Sequence, residues 1–193
     1  MIDNNPTQIE QLKILIYGDK NFDEETFIKN YFGNDLKQKN DLEEFKKFEG
    51  NIELIGGEKK CIFYFFKSDK NDFPKFSMDF DGTILIFELT NEESCKLVKS
   101  RVKSFSKKVK SLIILGDNPE NKEIAINNDI KLFVYENQIE YYEANNKIQK
   151  TNIMKMVIST VLAFKTVYPE KDLKNEKNYS KSNGHGCCHN SCC

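Results

Sequence analysis

Short apolar runs alternate with amphipathic stretches along this chain, and the alternation predicts both its elements and its fold class. Three apolar runs have the length and residue types of buried strands: Leu12–Tyr17, Thr83–Leu89 and Leu112–Leu115. A further short strand is predicted at Ile139–Glu143. The runs Ile52–Ile55 and Cys61–Phe66 flank the pair Gly56-Gly57, which is typical of a β-hairpin.

The amphipathic stretches between these runs predict four helices. They cover Thr26–Phe32, a segment that opens at Thr90 or Asn91, Asn128–Asn137, and Ile153–Phe164. In the second of them, steps of three and four residues place on one apolar stripe Cys95, Val98, Val102, Phe105 and Val109. Strands that alternate with helices predict an α/β fold with a doubly wound, mostly parallel sheet, to which the hairpin adds one antiparallel edge strand.

The composition fits one folded domain between two polar ends. The chain has 193 residues, of which 39% are hydrophobic, and this is enough for a sizeable core. We expect an N-terminal extension over residues 1–9, a domain over residues 10–165, and a flexible Lys/Asn-rich tail over residues 166–193. The polar, Lys/Glu-rich segment Gly33–Glu49 is predicted to be a mobile loop.

The charge of the chain and its cysteines indicate which partners and which cellular compartment to expect. The 29 basic and 30 acidic residues leave a net charge of -1, so no global field favours nucleic acid, which is not an expected partner. No apolar run approaches the roughly 20 residues of a membrane-spanning helix. Cys61 and Cys95 each stand alone in an apolar segment, which predicts reduced core residues on the cytosolic side of a membrane.

The last seven residues, Cys187–Cys193, contain four of the six cysteines. Cys192 and Cys193 are candidates for prenylation, because two lipids give stable membrane attachment whereas one gives only marginal attachment. Zinc binding is the alternative, although adjacent cysteines chelate poorly and no folded scaffold is expected around them. Its candidate ligands are His185, Cys187, Cys188, His189, Cys192 and Cys193.

Three stretches of the chain resemble the Ras-superfamily small GTPases, and in particular the Rab branch. The segment DGTILIFELTNEESCKLVK, Asp81–Lys99, is similar to the family's DGVILVYDVTNxESFxxVK. The segment Asn127–Lys147 runs without gaps against the family's last helix and strand, with Glu143 and Lys147 in the places of the Glu and Lys of ETSAK. The double-cysteine terminus is a Rab ending. Together the similarity covers Lys13 to Phe164 and the tail.

The resemblance implies a small-GTPase-like domain that acts in membrane traffic. Effector-type proteins would bind its switch surface, and the prenylated C-terminus would hold it on the cytoplasmic face of an intracellular membrane. A soluble cytosolic pool would be its second location. In the family, GTP or GDP is bound with Mg²⁺ by GxxxxGK[ST] after the first strand, where glycine N–H groups surround the phosphates and the Lys neutralises charge.

This chain departs from that phosphate-binding motif. Gly18 is kept, but Asp23 stands in the place of the second Gly, Glu24 in that of the Lys and Glu25 in that of the Ser/Thr. Thr26 follows one residue late. A Lys-to-Glu exchange turns attraction to a phosphate into repulsion, worth at 4 Å about 1 kcal/mol in water and about 4 kcal/mol at an effective dielectric constant of 20.

An acidic metal site is an alternative reading of the same stretch. Its ligands would be Asp19, Asp23, Glu24 and Glu25. These residues lack the alternating spacing and the Gly of a calcium-binding loop. Asp19 is also common in the family. A solvated acidic turn between a strand and a helix is therefore the simpler interpretation.

The positions that serve Mg²⁺, the γ-phosphate and hydrolysis in the family differ as well. Phe66 replaces the Asp that orients Mg²⁺, and Asp69 replaces the Gly whose N–H meets the γ-phosphate. Lys70 replaces the Gln that orients the attacking water. Glu43 occupies the place of the switch Thr, and no threonine lies between Phe27 and Gly82.

The guanine-binding motifs are also altered. The NKxD motif aligns with Asp117-Asn118-Pro119-Glu120, in which Glu120 could still accept guanine N–H groups but lies one methylene too far out. The SAK loop aligns with Asn145-Asn146-Lys147. Asn118, Asn146 and Lys147 are thus doubtful nucleotide contacts.

We therefore expect a pseudo-GTPase that binds partners and uses no cofactor. Two alternatives stay open from the sequence. The first is a divergent but active GTPase of vesicle transport that still binds GTP and GDP with Mg²⁺. The second is a structural subunit whose tail carries no lipid.

Overall fold

A computed structural model describes residues 11–18, 22–39, 45–66, 79–105, 109–118 and 128–167 of the chain. It contains seven strands and four helices within those residues. The strands are β1 Gln11–Tyr17, β2 Lys37–Gln38, β3 Phe45–Leu54, β4 Gly57–Phe66, β5 Gly82–Glu88, β6 Leu112–Asp117 and β7 Glu140–Ala144. The helices are α1 Glu24–Phe32, α2 Glu92–Phe105, α3 Asn128–Glu136 and α4 Lys147–Val167.

The strands form one mixed sheet in the order β2-β3-β4-β1-β5-β6-β7. The strands from β4 to β7 in this order are mutually parallel, β3 is antiparallel to β4, and β2 is antiparallel to β3. The predicted α/β class, with a mostly parallel sheet and an antiparallel edge, is confirmed, and it is consistent at a coarse level with a small-GTPase-like fold. The edge differs in one detail, since the two-residue β2 lies outside β3.

The sheet separates two apolar layers, and alternation along β1 supplies both. Leu12, Ile14 and Ile16 pack in the layer under α1 and α4. Leu15 and Tyr17 pack in the layer under α2 and α3. Successive side chains of a strand point to opposite faces, so a strand covered on both sides is apolar at nearly every position. This is why β1, β5 and β6 are recognisable as largely apolar runs.

The prediction that Gly33–Glu49 is a loop is wrong for two parts of that segment. Lys37–Gln38 forms β2, and β3 begins at Phe45. Within β3, Phe45 and Phe48 are buried while the intervening residues are mostly polar. Backbone pairing fixes this part of β3, because β3 pairs with β4 along its whole length and with β2 at Phe48 and Glu49.

Two helix predictions can be refined and one cap is confirmed. Asn91 caps α2, because its Oδ1 accepts hydrogen bonds from Glu93 N at 3.0 Å and Ser94 N at 3.2 Å. Val109 lies beyond the end of α2, so it is outside the predicted helical stripe. The last helix, α4, begins six residues earlier than Ile153.

The two core cysteines behave as predicted. Cys61 and Cys95 are both buried and reduced, and burial raises the pKa of Cys61 to about 12. Among the helices that the structure describes, none is both long enough and apolar enough to cross a bilayer.

Candidate functional site

The carboxyl ends of the parallel strands bring most of the described candidate residues to one edge of the sheet. Gly18 follows β1, Asn118 follows β6, and Asn146 follows β7. The last two loops are joined by a hydrogen bond from Asn118 N to the carbonyl of Ala144, at 3.2 Å. In open α/β sheets this edge is where ligands bind, so its groups decide what the chain could hold.

Asp23 caps the N-terminus of α1 with its own carboxylate. Its Oδ1 accepts hydrogen bonds from Glu25 N at 3.1 Å and from Thr26 N at 3.2 Å. Its Oδ2 accepts a hydrogen bond from the Thr26 hydroxyl at 2.7 Å. The N–H groups of a first helical turn are those that would otherwise bind a phosphate. Here they hold an anion that belongs to the chain.

The charge next to this cap is also compensated. The Glu24 carboxylate lies 2.6 Å from the Lys46 ammonium of β3. Hydrogen bonds from Thr26, aided by the positive charge of Lys46, hold the pKa of Asp23 below its usual value. Glu25 is exposed. We call Asp23, Glu24, Thr26 and Lys46 the cap cluster. Any group of this cluster that could attract a phosphate, such as the Lys46 ammonium, is already bound to a carboxylate of the cluster.

Gly18 has a steric reason to be glycine that does not involve a ligand. A Cβ at this position would collide with the ring of Phe22. That ring packs against Phe27 and Phe65, with centroid distances of 5.2 Å and 6.2 Å. The glycine at this position therefore admits an aromatic side chain to the core.

Asp117, at the end of β6, forms a buried hydrogen-bonded group with residues of α1 and α4. Its Oδ1 accepts a hydrogen bond from the Tyr31 hydroxyl at 2.7 Å and lies 2.8 Å from the Lys150 ammonium. Lys150 also donates to the carbonyl of Asn118 at 3.1 Å, and its ammonium lies 5.5 Å from the centre of the Tyr31 ring. We call Tyr31, Asp117 and Lys150 the buried triad.

The charged groups of the triad are shielded from water and therefore depend on each other as partners. The Lys150 side chain is 2% exposed and that of Asp117 is 13% exposed. Burial, with a further contribution from the Asp117 carboxylate, raises the pKa of Tyr31, so its hydroxyl remains a protonated donor. A lysine ammonium is kept inside a protein when it is paired and hydrogen-bonded, and both conditions hold here.

The triad and its neighbours occupy the strand end that aligns with the guanine-binding motif. Asn118 is buried, and its carbonyl is taken by Lys150. Asn146 caps α4, because its Oδ1 accepts a hydrogen bond from Gln149 N at 3.0 Å and its carbonyl accepts one from Lys150 N at 3.2 Å. Lys147 is the first residue of α4. These bonds tie the two loops to the fold itself.

Phe66 ends β4 and lies among aromatic rings. It stacks on Tyr17 with a centroid distance of 5.7 Å and contacts Phe45 at the same distance. A phenyl ring offers no ligand to Mg²⁺, which requires oxygen atoms. The residue at this family position thus contributes to packing.

Several predicted residues lie outside the described part of the chain. They are Asp19, Glu43, Asp69, Lys70 and Glu120, and in the C-terminal sequence they include Cys192 and Cys193. The zinc ligands considered for the tail lie there too. Within residues that are described, no three His, Cys, Asp or Glu side chains are grouped as a metal site would require.

Sequence reasoning missed Lys150, Tyr31 and Lys46 as members of this edge. One signal was present for Lys150, which lies on the same helical stripe as Met154, Val157 and Val161, all buried. A lysine at a position whose helical neighbours are core residues predicts a buried cation that needs a partner. No local pattern indicates the partners of Lys150, because they are distant in sequence. Asn118 lies 32 residues from Lys150, and Tyr31 lies 86 residues from Asp117.

No family model matches the chain, and no curated protein matches it.

Proposed function

We propose that this protein is a Rab-like pseudo-GTPase, a lipid-anchored module of membrane traffic that binds partner proteins without a nucleotide cycle. It would lie on the cytoplasmic face of an intracellular membrane. The prenyl groups would be carried by Cys192 and Cys193, and effector-type proteins would bind the switch surface. GTP or GDP with Mg²⁺ would not be required for that binding.

One observation supports the loss of nucleotide most directly. The Asp23 carboxylate accepts two N–H groups of the first turn of α1 and the Thr26 hydroxyl. A phosphate at this helix end would have to displace Asp23 and then face both Asp23 and Glu24 as anions. Displacement would also break the ion pair between Glu24 and Lys46 or leave it beside a second negative group.

The buried triad supports the same proposal at the other end of the edge. A base that entered between the loops after β6 and β7 would need polar groups from those loops. Asp117 and the Asn118 carbonyl are already bound by Lys150, and Asn146 caps α4. Removing one partner from a buried charged pair costs about 3–5 kcal/mol, so these groups are not readily released to a ligand.

The tail part of the proposal is tested in cells by fractionation. Cys192→Ser with Cys193→Ser should move the protein from membranes to the soluble fraction, because one 14-carbon chain gives marginal binding and two lipids give stable binding. His185→Ala with His189→Ala is the matched control and should leave the protein on membranes. Mass spectrometry of the terminal peptide should detect two prenyl groups.

Two results would contradict the lipid anchor. One is a wild-type protein that is soluble throughout. The other is one zinc ion per chain that is lost in the double histidine variant. Either would favour the metal-binding or the structural-subunit alternative.

The partner-binding part is tested by affinity capture. Partners captured by the wild-type chain should be the same with GDP, with a non-hydrolysable GTP analogue, and without nucleotide. Family switching depends on contacts of the γ-phosphate and Mg²⁺ to a Thr and a Gly, and Glu43 and Asp69 hold those places. A set of partners that changes between GDP and the GTP analogue would favour the divergent active GTPase.

A further inference from the structure

The near-zero net charge of the chain conceals one strongly basic segment. Between Ser94 and Gly116 there is no Asp or Glu, but there are seven basic residues. They are Lys96, Lys99, Arg101, Lys103, Lys107, Lys108 and Lys110. Of the 29 basic residues, the other 22 lie elsewhere together with all 30 acidic residues. The segment that begins in α2 is therefore positive, while the rest of the chain is negative.

Helix α2 places part of this charge on one outer face. Its buried stripe, which packs against the sheet, consists of Cys95, Val98, Val102 and Phe105. Lys96, Lys99 and Lys103 are spaced by three and four residues, so they share a face of the helix away from that stripe. Lys96 and Lys103 are exposed, and they are about 10 Å apart along the helix axis. We call Lys96, Lys99 and Lys103 the lysine ridge.

The fold makes little use of the lysine ridge. In the part of the chain that the structure describes, Lys99 and Lys103 have no ion-pair partner. The Lys96 ammonium lies 3.6 Å from a Glu92 carboxylate oxygen and 3.9 Å from one of Glu93. All three of these side chains are largely exposed, and such pairs contribute little to stability.

Helix α4 shows the contrasting case, in which the fold uses the lysines. It also contains lysines and no acidic residue. However, Lys150 is bound to Asp117 in the buried triad, and Lys165 donates to the Asp81 carboxylate at 3.3 Å. Within the described residues the lysine ridge has no such buried partner. Its charge is therefore available to a group outside the chain.

The neighbouring helix limits the width of the basic surface. Helix α3 lies beside α2, since the Lys99 ammonium is 5.8 Å from the centre of the Phe133 ring. Two acidic residues of α3, Asp129 and Glu136, are exposed. The basic surface is thus a strip along α2 and does not extend over α3.

The chemistry of the ridge fits lipid headgroups better than a protein partner. Tight protein interfaces depend on a few large anchors, mostly aromatic residues and arginine. The large apolar side chains that are exposed within the described residues all lie outside α2, and they are Ile55, Leu132, Tyr135, Met156 and Val167. Lysine is a hydrated point charge on a flexible stem. Several such charges are attracted to an anionic bilayer without any matching shape.

We propose that the lysine ridge binds the headgroups of an anionic lipid bilayer, with α2 lying along the membrane surface. Its ammonium groups would contact the phosphate and carboxylate groups of lipids such as phosphatidylserine. Lys107 and Lys108 follow α2 in the sequence and would add to the attraction. The proposal deepens the proposed membrane attachment and rests on it for bringing the domain to a bilayer.

The ridge would supply an orientation that the terminal lipids do not. Between Val167 and Cys193 lie 25 residues, which could span at most about 80 Å when fully extended. Lipids at the end of such a segment would allow any face of the domain to meet the bilayer. Attraction at the lysine ridge would favour the face formed by α2.

The test uses the full chain purified without lipid groups, so that the ridge and the anchor can fail separately. Its binding to vesicles is measured by co-sedimentation. The chain should bind mixed phosphatidylcholine and phosphatidylserine vesicles but not pure phosphatidylcholine vesicles. About 1 M salt, at which the Debye length is about 3 Å, should abolish the binding. Lys99→Gln with Lys103→Gln should weaken it about thirtyfold, because each lysine near an anionic surface contributes a factor of about five.

Lys13→Gln with Lys37→Gln is the matched control. Both lysines are exposed on β1 and β2, neither has an ion-pair partner among the described residues, and the charge change is the same. This variant should bind the vesicles nearly as well as the wild type. Lys99→Arg with Lys103→Arg keeps the charge and should also bind. All variants should melt within a few degrees of the wild type, because surface substitutions usually change stability little.

Three results would overturn the proposal. The first is an absence of wild-type binding to the phosphatidylserine vesicles at low salt. The second is an equal loss of affinity in the ridge variant and the control variant, which would place the contact elsewhere. The third is tighter binding to a duplex RNA or to polyglutamate than to vesicles of the same charge concentration, since this would assign the ridge to another class of macromolecule.

Discussion

The cap cluster and the buried triad lie at the same edge of the sheet, yet they neutralise charge in different ways. In the cap cluster the Asp23 carboxylate is solvent-exposed and bound by groups of its own helix turn. In the buried triad the Lys150 side chain is 2% exposed, and its partners come from two other elements. The interactions of Asp23 in the cap cluster are thus local in sequence and exposed to water. Those of the buried triad join residues distant in sequence and are shielded from water.

This difference sets how strongly each group controls the fold. An exposed N-cap contributes about 1 kcal/mol to stability. A buried charge that loses its partner costs several times more, because its desolvation is no longer compensated. In the proposed function both groups oppose a nucleotide at this edge, but loss of the cap should leave the domain folded, whereas loss of the triad should lower its stability strongly.

The largest expected effect is that of Lys150→Met, which leaves Asp117 and Tyr31 buried without their cation. We expect a loss of about 3–5 kcal/mol in the free energy of unfolding, measured by urea denaturation. Lys165→Met is the control, since Lys165 also pairs with a carboxylate, Asp81, at 3.3 Å but is 26% exposed. Lys165→Met should lower the free energy of unfolding clearly less. Equal losses for the two variants would contradict the claim that burial makes the Lys150 pair more important for stability.

Tyr31→Phe should have the next largest effect. It removes the hydrogen bond to Asp117 at 2.7 Å and leaves the ring in place. A hydrogen bond to a charged group contributes about 1.5–3 kcal/mol. The same urea series reports the loss, and Tyr135→Phe on the exposed side of α3 should be neutral. A neutral Tyr31→Phe would contradict a stabilising hydrogen bond between this hydroxyl and Asp117.

Asp23→Ala should cost about 1 kcal/mol, because two N–H groups of the first turn of α1 lose their acceptor. Asp23→Asn should keep most of the stability, since Asn is also a good N-cap. The pair of variants separates capping from charge. If alanine were as stable as the wild type, the hydrogen bonds at Asp23 would have no energetic weight.

The smallest expected effect is on pH dependence. The folded-state pKa of Asp23 lies below its usual value, so the charged carboxylate adds stability above an unfolded pKa of about 4. This contribution is lost as the pH falls through the folded-state pKa. The stability of Asp23→Asn should therefore approach that of the wild type as the pH is lowered below about 4. A gap that widens on acidification would contradict the assignment.

The sequence predicted the strands and helices well where burial is two-sided or strongly periodic. β1, β5 and β6 are buried at most of their positions, and the stripe of α2 is regular. The strand β3 was missed over Phe45–Glu49, because backbone pairing and only two buried rings define it there. Local pattern carries little information about pairing between distant segments.

For the candidate site, the amino-acid sequence indicated which residues do not suit a phosphate. The structure adds the contacts that these residues make instead. That Asp23 would cap α1 was foreseeable, since an Asp before a helical pattern is an N-terminal signal. That Glu24 would find Lys46, or Lys150 would find Asp117 and Tyr31, was not. Such partners are fixed by how helices pack on the sheet, which no local pattern encodes.

The central claim is that this edge of the sheet is filled by the chain's own charges and holds no nucleotide. It is tested most directly by the nucleotide content of protein purified without added nucleotide, released by heat denaturation and separated by chromatography. The account predicts far less than one GDP or GTP per chain. Stoichiometric nucleotide in the wild-type protein would contradict it.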